Sequence, residues 1–301
     1  MTQFIRLHGN LFILIALVMA ITAMLDDTCP AVANEPIRVM SFNVRYGTAK
    51  DGVNHWDNRR EALMETIKRF SPDLLGTQET LAFQRDYLLE QLSEFEAVAA
   101  GRDDGKEGGE MAALFYRKDR FEAIDSGHFW LSSTPDQVAS KGWDAALTRI
   151  ASWVKLRDRK FSDASPILFL NTHFDHQGPK ARAESASLIV SKLREIGENC
   201  RWVVTGDFNA DPKERAYANL FTHNNAGARR LIDTLRAVHP TPRPNEGTFS
   251  SFDASQIQGP RIDWIACSED FDVQAAEIVR DSRDGRTPSD HFPVSTVIVP
   301  R

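Results

Sequence analysis

The sequence has no excess of basic charge. Its 301 residues carry 36 Lys and Arg against 42 Asp and Glu, a net charge of -6 with a pI near 5.8. Nothing therefore marks a broad surface for nucleic acid or anionic membrane; a local basic groove would still be compatible with that count. Basic runs interleaved with aromatics, the pattern of single-strand stacking proteins, are missing as well, and so is an apolar hairpin suited to docking on a bilayer. Cysteine is scarce, at three residues. There is no internal repeat, no long Gly/Ser- or Pro-rich linker and no block of like charge, which leaves one domain behind the leader as the simpler organisation. What is present is apolar: 42% of residues are hydrophobic, enough for a large core.

The N-terminus reads as an export signal. Arg6 and His8 precede the uncharged run LFILIALVMAITAML, Leu11 to Leu25, and Ala31 and Ala33 give the small-x-small pattern of a cleavage site. Cleavage after Ala33 is expected, giving a leader over 1–33, a domain over 34–301 and a periplasmic or secreted protein with no stable membrane insertion. An uncleaved anchor helix is the alternative, but the run is short for a bilayer. Cys29 follows Asp26, Asp27 and Thr28, which is not the context of a lipidated cysteine. Its removal leaves Cys200 and Cys267, expected as free buried thiols rather than a disulfide.

Beyond the leader, strands outnumber helices. IRVMSFNVRY alternates apolar and polar residues; NRREALMETIKRF has Leu63, Ile67 and Phe70 at helical spacing and is stopped by Pro72. DLLGTQET reads as a short buried strand, with Thr80 as cap of the helix LAFQRDYLLEQL. EMAALFYRK, FEAIDSGHFWLS, RIASWVKLRD, PILFLNTHFD, CRWVV, RIDWIACS, FDVQAAEIV and VSTVIV read as further strands, and RAESASLIVSKLREIG as an amphipathic helix. Hairpin-like pairs mixed with crossover helices predict two packed sheets with helices outside.

Polar residues recur where these apolar runs end or begin. In RWVVTGDFNADP a β-rich run stops at Thr-Gly and then presents Asp207 and Asn209. Taken alone this is as compatible with a turn as with a site. Asn43, Glu79, His173, Asp263, Asp290 and His291 stand in similar places, and all are residue types that serve metal and proton chemistry.

SFNVRY, GTQE, NTHFDH, GDFN, RIDWI and SDHFPV, in this order, resemble the motif set of the endonuclease/exonuclease/phosphatase superfamily, over nearly all of the chain from Ile37 to Val299. The resemblance implies a four-layer α/β sandwich, two packed mixed β-sheets flanked by helices, with the site at one edge of the sheets. GRDDGKEGGEMAALFYR and FWLSSTPDQVASKGWDAALTRIASW resemble a bacterial, mostly exported branch whose substrates are poorly defined.

The superfamily hydrolyses phosphate esters by in-line attack of water with a divalent cation, Mg²⁺ or Mn²⁺, for which hard oxygen ligands are suited. By resemblance, Glu79 is the main metal ligand, helped by Asn43 and Asp290, and Asn43 alternatively orients Glu79. His291 is the general base or its close equivalent, with Asp263 fixing its tautomer, while Asp207 and Asn209 hold the water and the phosphoryl oxygens. Either Asp207 or His291 takes the water's proton. His173 contacts the phosphate or protonates the leaving oxygen. Arg45 stands where some nucleases carry an acid, which disfavours a second metal and suggests a phosphate clamp. Arg149 and Arg182 are further candidates for substrate binding. The expected activity is that of a monomeric phosphodiesterase. A nuclease, a phospholipase C-like lipid hydrolase and a catalytically inactive binding module on the same fold are the competing readings, and turnover of a model diester before and after EDTA separates enzyme from module.

Overall fold

The computed structural model describes residues 35–222 and 229–301; the expected leader over 1–33 lies outside them. The strands run in chain order as β1 (Ile37–Asn43), β2 (Leu74–Thr80), β3 (Phe95–Val98), β4 (Met111–Arg117), β5 (Phe121–Trp130), β6 (Ile150–Asp158), β7 (Ile167–His173), β8 (Arg201–Asp207), β9 (Leu231–Asp233), β10 (Asp263–Ser268), β11 (Phe271–Ile278) and β12 (Val294–Pro300). The helices are α1 (Trp56–Phe70), α2 (Ala82–Gln91), α3 (Pro179–Ile196), α4 (Arg215–Phe221) and α5 (Thr234–Val238). None of the described helices is long and apolar enough to cross a membrane.

Two six-stranded mixed sheets form, ordered β11-β12-β1-β2-β4-β3 and β5-β6-β7-β8-β10-β9. Within each, one central pair is parallel, β1 with β2 and β7 with β8; crossover helices α1 and α3 make those connections. Period-two alternation sorts the side chains into layers. Ile37 and Val39 join Phe169, Val203 and Ile265 in a core between the sheets. Met40 and Phe42 pack against Leu63 and Ile67 of α1, and Trp202 and Val204 pack against Ile189 and Leu193 of α3. The expected helix–sheet–sheet–helix sandwich is what the chain forms. Burying every central strand on both faces explains their near-continuous apolar runs.

The inter-sheet layer changes character along the strands. Past the apolar residues come Ser41, Gln78, Asn171 and Thr205. Gln78 Nε2 donates to Ser41 Oγ (3.1 Å) and to Asn171 Oδ1 (2.7 Å) across the sheets, and Thr205 Oγ1 donates to the same Asn171 oxygen (2.9 Å). Asn171 Nδ2 donates to the carbonyls of Thr77 and Ala113. The sheets approach so closely here that a Cβ on Gly76 would lie 2.1 Å from Thr205 Oγ1. One residue further along the same face, the strands end.

Three local expectations change. Thr80 belongs to β2, bonds Thr77 Oγ1 at 2.7 Å and caps nothing; Leu81 is the N-cap of α2. Helix α3 begins at Pro179, three residues before the apolar periodicity, because Pro is well placed in a first turn. The short strands β3 and β9 carry too few residues to show a period. Cys200 and Cys267 are free and buried, as expected, and they lie in different cores, one on the helix side of the second sheet and one between the sheets.

Candidate active site

Asn43, His173 and Asp207 are the last residues of β1, β7 and β8, and Asp263 is the first of β10. All four continue the inter-sheet face on which Val39, Phe169, Val203 and Ile265 lie. Register makes Asp207 the centre: it pairs with His173 across β7 and with Asp263 across β10. Its Oδ2 accepts from Asn43 Nδ2 (2.9 Å) and lies 3.4 Å from His173 Nε2 and 3.7 Å from His291 Nε2; Oδ1 accepts from the Asn209 N–H (2.9 Å).

Glu79 reaches the same cleft by a different device. The pairing of β2 with β4 slips between Thr77 and Thr80, a β-bulge, and Glu79 sits in it with φ 57. Simple alternation would send Glu79 to the helix side, opposite Gln78; the bulge re-aims it. Its Oε1 accepts from Asn43 Nδ2 (3.0 Å) and its Oε2 from the Tyr46 N–H (3.2 Å). Asp290 and His291 arrive on the segment before β12.

Burial sets the protonation of this group. Desolvation, reinforced by Asp263, drives Asp207 up to about 7. Burial likewise raises Asp290, with Glu79 acting in the same sense. Burial alone would keep His291 neutral, but Asp263, whose Oδ2 lies 2.9 Å from Nδ1, and then Asp207 outweigh it and hold the imidazole well above its ordinary value. His173 goes the other way, well below, through burial and the nearby Arg149 and Arg102. Its short contacts with acids are therefore not ion pairs. Asn209 fixes its tautomer: Nδ2 donates both to the Phe174 carbonyl (3.1 Å) and to His173 Nε2 (3.0 Å). The His173 proton thus rests on Nδ1, and donation to a leaving oxygen from Nε2 would require a tautomer change.

The arginines separate. Arg149 is buried, lines the cavity, spends Nη2 on His176 (3.1 Å) and leaves Nε and Nη1 without a hydrogen-bond partner. Asp175 lies 3.6 Å from its Nε. Although burial opposes its charge, Asp175 is held well below the usual carboxylate range by backbone N–H groups, among them those of Gly178 and Leu147. Arg45 also lines the cavity. It has φ 54 just past the end of β1, so strand alternation does not govern where it points. Its Nε and Nη2 are taken by Asp51 (3.0 and 3.1 Å), which leaves no free fork for a phosphate. Arg182 does not reach the cavity: it pairs with Glu214 (2.7 Å) and donates to the Asp175 carbonyl.

Two contributors escaped the sequence reading. Glu110, immediately before β4, accepts both Nη groups of Arg102 (2.8 and 2.9 Å) and lies 3.9 Å from His173 Nδ1. An acid at a strand start is the signal that marked Asp263, and it applied here too. Asp175, two residues past His173 in NTHFDH, organises the loop under Arg149 and carried no distinguishing signal.

Two groups offer cation ligands. Glu79 and Asp290 both lie within 4 Å of the Arg45 guanidinium, at 3.8 and 3.6 Å, so their oxygens converge on one point of positive charge. These two carboxylates are a hard-oxygen pair that fits Mg²⁺ or Mn²⁺. Asn43, by contrast, turns its Nδ2 toward Glu79 and its Oδ1 accepts from the Arg45 N–H (3.0 Å), so it orients Glu79 rather than joining the ligands. Asp207, Asp263 and His291 also bring one ligand atom each within 4.8 Å of one another, but Asp263 already serves His291.

Glu79, Asp207, Asp290 and His291, with His173 and Asn209, wall a cavity of about 970 Å³, and Asn43 and Asp263 stand behind them. The Endonuclease/Exonuclease/phosphatase family matches residues 40–291. The chain belongs to that family. Its members are metal-dependent phosphoester hydrolases. A family protein from Bacteroides thetaiotaomicron is 34% identical, with a TM-score of 0.81 over 89% of this chain and 99% of that one. A mannosyl-6-phosphatase of the same organism is 36% identical, with a TM-score of 0.79 over 87% and 99%. Human Nocturnin is 25% identical over 226 residues, 65% of this chain and 48% of that protein, so the chain spans about half the length of that relative.

Proposed function

We propose that the chain is an exported, monomeric phosphohydrolase that removes phosphate from a small phosphorylated carbohydrate, with Mg²⁺ or Mn²⁺ held by Glu79 and Asp290. Arg149 carries this reading. Its guanidinium lines the same cavity as Asp207 and His291. Although Asp175 lies 3.6 Å from Nε, neither Nε nor Nη1 has a hydrogen-bond partner, so a cation with unspent donors stands in the wall where an anionic ester would lie. The mannosyl-6-phosphatase similar to this chain supports a sugar as leaving group, and the lining beyond the phosphate position, Ser251, Gln256 and Gln258, is hydroxyl and carboxamide rather than cationic.

In this scheme Arg149 binds non-bridging oxygens, and His291, kept cationic by Asp263, donates to another. Asp207 takes the proton of the attacking water, and the free Oδ1 of Asn209 orients that water. Asn43 holds Glu79 and Asp207 in register. The bound cation would neutralise charge developing on the phosphoryl and leaving oxygens. A phosphodiester is the second reading, favoured by size: 970 Å³ is at the upper end of small-ligand sites, leaving room for a second alcohol.

A panel of hexose 6-phosphates, bis(p-nitrophenyl) phosphate and DNA, assayed in Mg²⁺ and Mn²⁺ with and without EDTA, tests the proposal. Preferred, EDTA-sensitive release of phosphate from the hexose esters is expected. Preferred cleavage of DNA would make the chain a nuclease, and no turnover on any substrate would leave a binding module. For the leader, N-terminal sequencing of exported protein should begin at or near Asn34; an intact Met1 would mean an anchored protein.

A further inference from the structure

Phosphoryl transfer leaves one wall of the cavity unused. Phe249 lines it with 47% of its surface exposed, and it joins none of the apolar clusters of the described core. An exposed aromatic on a mobile loop would mean little. This one is fixed. Phe249 is bridged to His291 by its backbone, and its ring meets the imidazole edge-on with centroids 5.2 Å apart. The flanking N–H groups of Ser250 and Ser251 both donate to the Asp290 carbonyl (2.7 and 3.0 Å), and Phe292 N–H donates back to Thr248 (2.7 Å). Ser251 and Phe252 then hold φ 50 and 66 in succession. Such strain persists only where the surroundings over-determine it, and the Phe252 ring is pinned against the buried Arg59.

A rigid, solvent-open ring on the cavity wall, beside the imidazole that meets phosphate, offers a flat apolar face to whatever the cavity holds. Around it stand Ser251, Asp253, Gln256 and Gln258, which offer donors and acceptors together and no cation. We infer that Phe249 is the platform on which the alcohol portion of the substrate lies, and that it selects a pyranose. A pyranose presents a face of C–H groups to the ring and a rim of hydroxyls to the carboxamides. A nucleobase would stack on the same ring, but it has no comparable use for a hydroxyl-reading rim. The inference rests on the phosphate-ester reading of the site and adds to it the residue that selects the sugar ring.

Steady-state hydrolysis of mannose 6-phosphate, glycerol 1-phosphate and adenosine 5′-monophosphate by wild type, Phe249→Ala and Phe249→Trp provides the test. In Phe249→Ala the ratio of kcat/KM for mannose 6-phosphate over glycerol 1-phosphate should fall roughly tenfold, chiefly through KM, as for a lost binding contact. Phe249→Trp, which keeps an aromatic face, should recover most of that ratio. Equal losses on the two substrates would mean that Phe249 merely packs His291, and a larger loss on the adenosine ester would make it a base platform; either overturns the inference. If wild type hydrolyses none of the three, the phosphate-ester reading fails by itself. Calorimetric titration with mannose 6-phosphate then decides the platform, and equal affinity in wild type and Phe249→Ala would overturn it.

Discussion

Asp207 lies within 3.7 Å of Asn43, Asn209, His173 and His291 side-chain or backbone nitrogens, so one carboxylate connects the cation ligands to the proton-handling pair. Asp263 acts one step behind, on His291 alone. Asp263→Asn keeps the shape and removes the charge that holds His291 cationic; kcat should drop by about 10²–10⁴-fold, with the melting temperature little changed. A near-normal kcat on any active substrate would remove His291 from the proposed chemistry. Glu79→Gln acts elsewhere. It should weaken Mn²⁺ binding in a calorimetric titration, and excess Mn²⁺ should restore part of the rate. Unchanged affinity would point to the Asp207, Asp263 and His291 group as the cation site instead. The ends of apolar runs made most of these residues legible in the sequence. Arg45 was less legible, because it lies past the strand end in a left-handed conformation and its Nε and Nη2 are held by Asp51.

Between residues and sheets stands the bulge of β2. A strand pattern read from GTQE assigns Gln78 and Glu79 to opposite faces, and only the extra residue opposite β4 brings both to the inter-sheet side. Nothing in the local sequence announces a bulge, since it is the pairing with β4 that creates it. Gly76, two residues earlier, has a legible purpose once the sheets are stacked. Gly76→Ala would press a methyl onto Thr205 and Asn171, and overpacking of this kind costs about 1–3 kcal/mol. Thermal or urea unfolding should show it as a lower midpoint; an unchanged midpoint would mean that the sheets part easily at this level. The long central strands and α1 and α3 were readable from periodicity. The three- and four-residue strands β9 and β3 were not, because they are shorter than the window in which a period can be seen.

On the scale of the whole molecule, composition and motif order together gave the layers. No single run could, because a strand buried on both faces and a buried helix segment look alike in hydropathy. The placement of the two thiols belongs to this scale. Cys200 and Cys267 serve separate cores, and burial drives the Cys267 thiol up to about 12. A thiol reagent should therefore titrate neither in the native protein and both after denaturation, and reductant should leave the melting temperature unmoved. Rapid native labelling, or a melting temperature that falls on reduction, would contradict the arrangement.

The hydroxyl and amide layer of Ser41, Gln78, Asn171 and Thr205 also does something for the solvent. An open mouth above a plain hydrocarbon interior would meet it along a sharp boundary, where any loosening of the strand ends admits water straight between the sheets. Here Asn171 already ties its amide to Thr77, Ala113, Gln78 and Thr205 on both sides. The layer works as a gasket, letting the charged rim stay wet and strained while the seam below it stays dry.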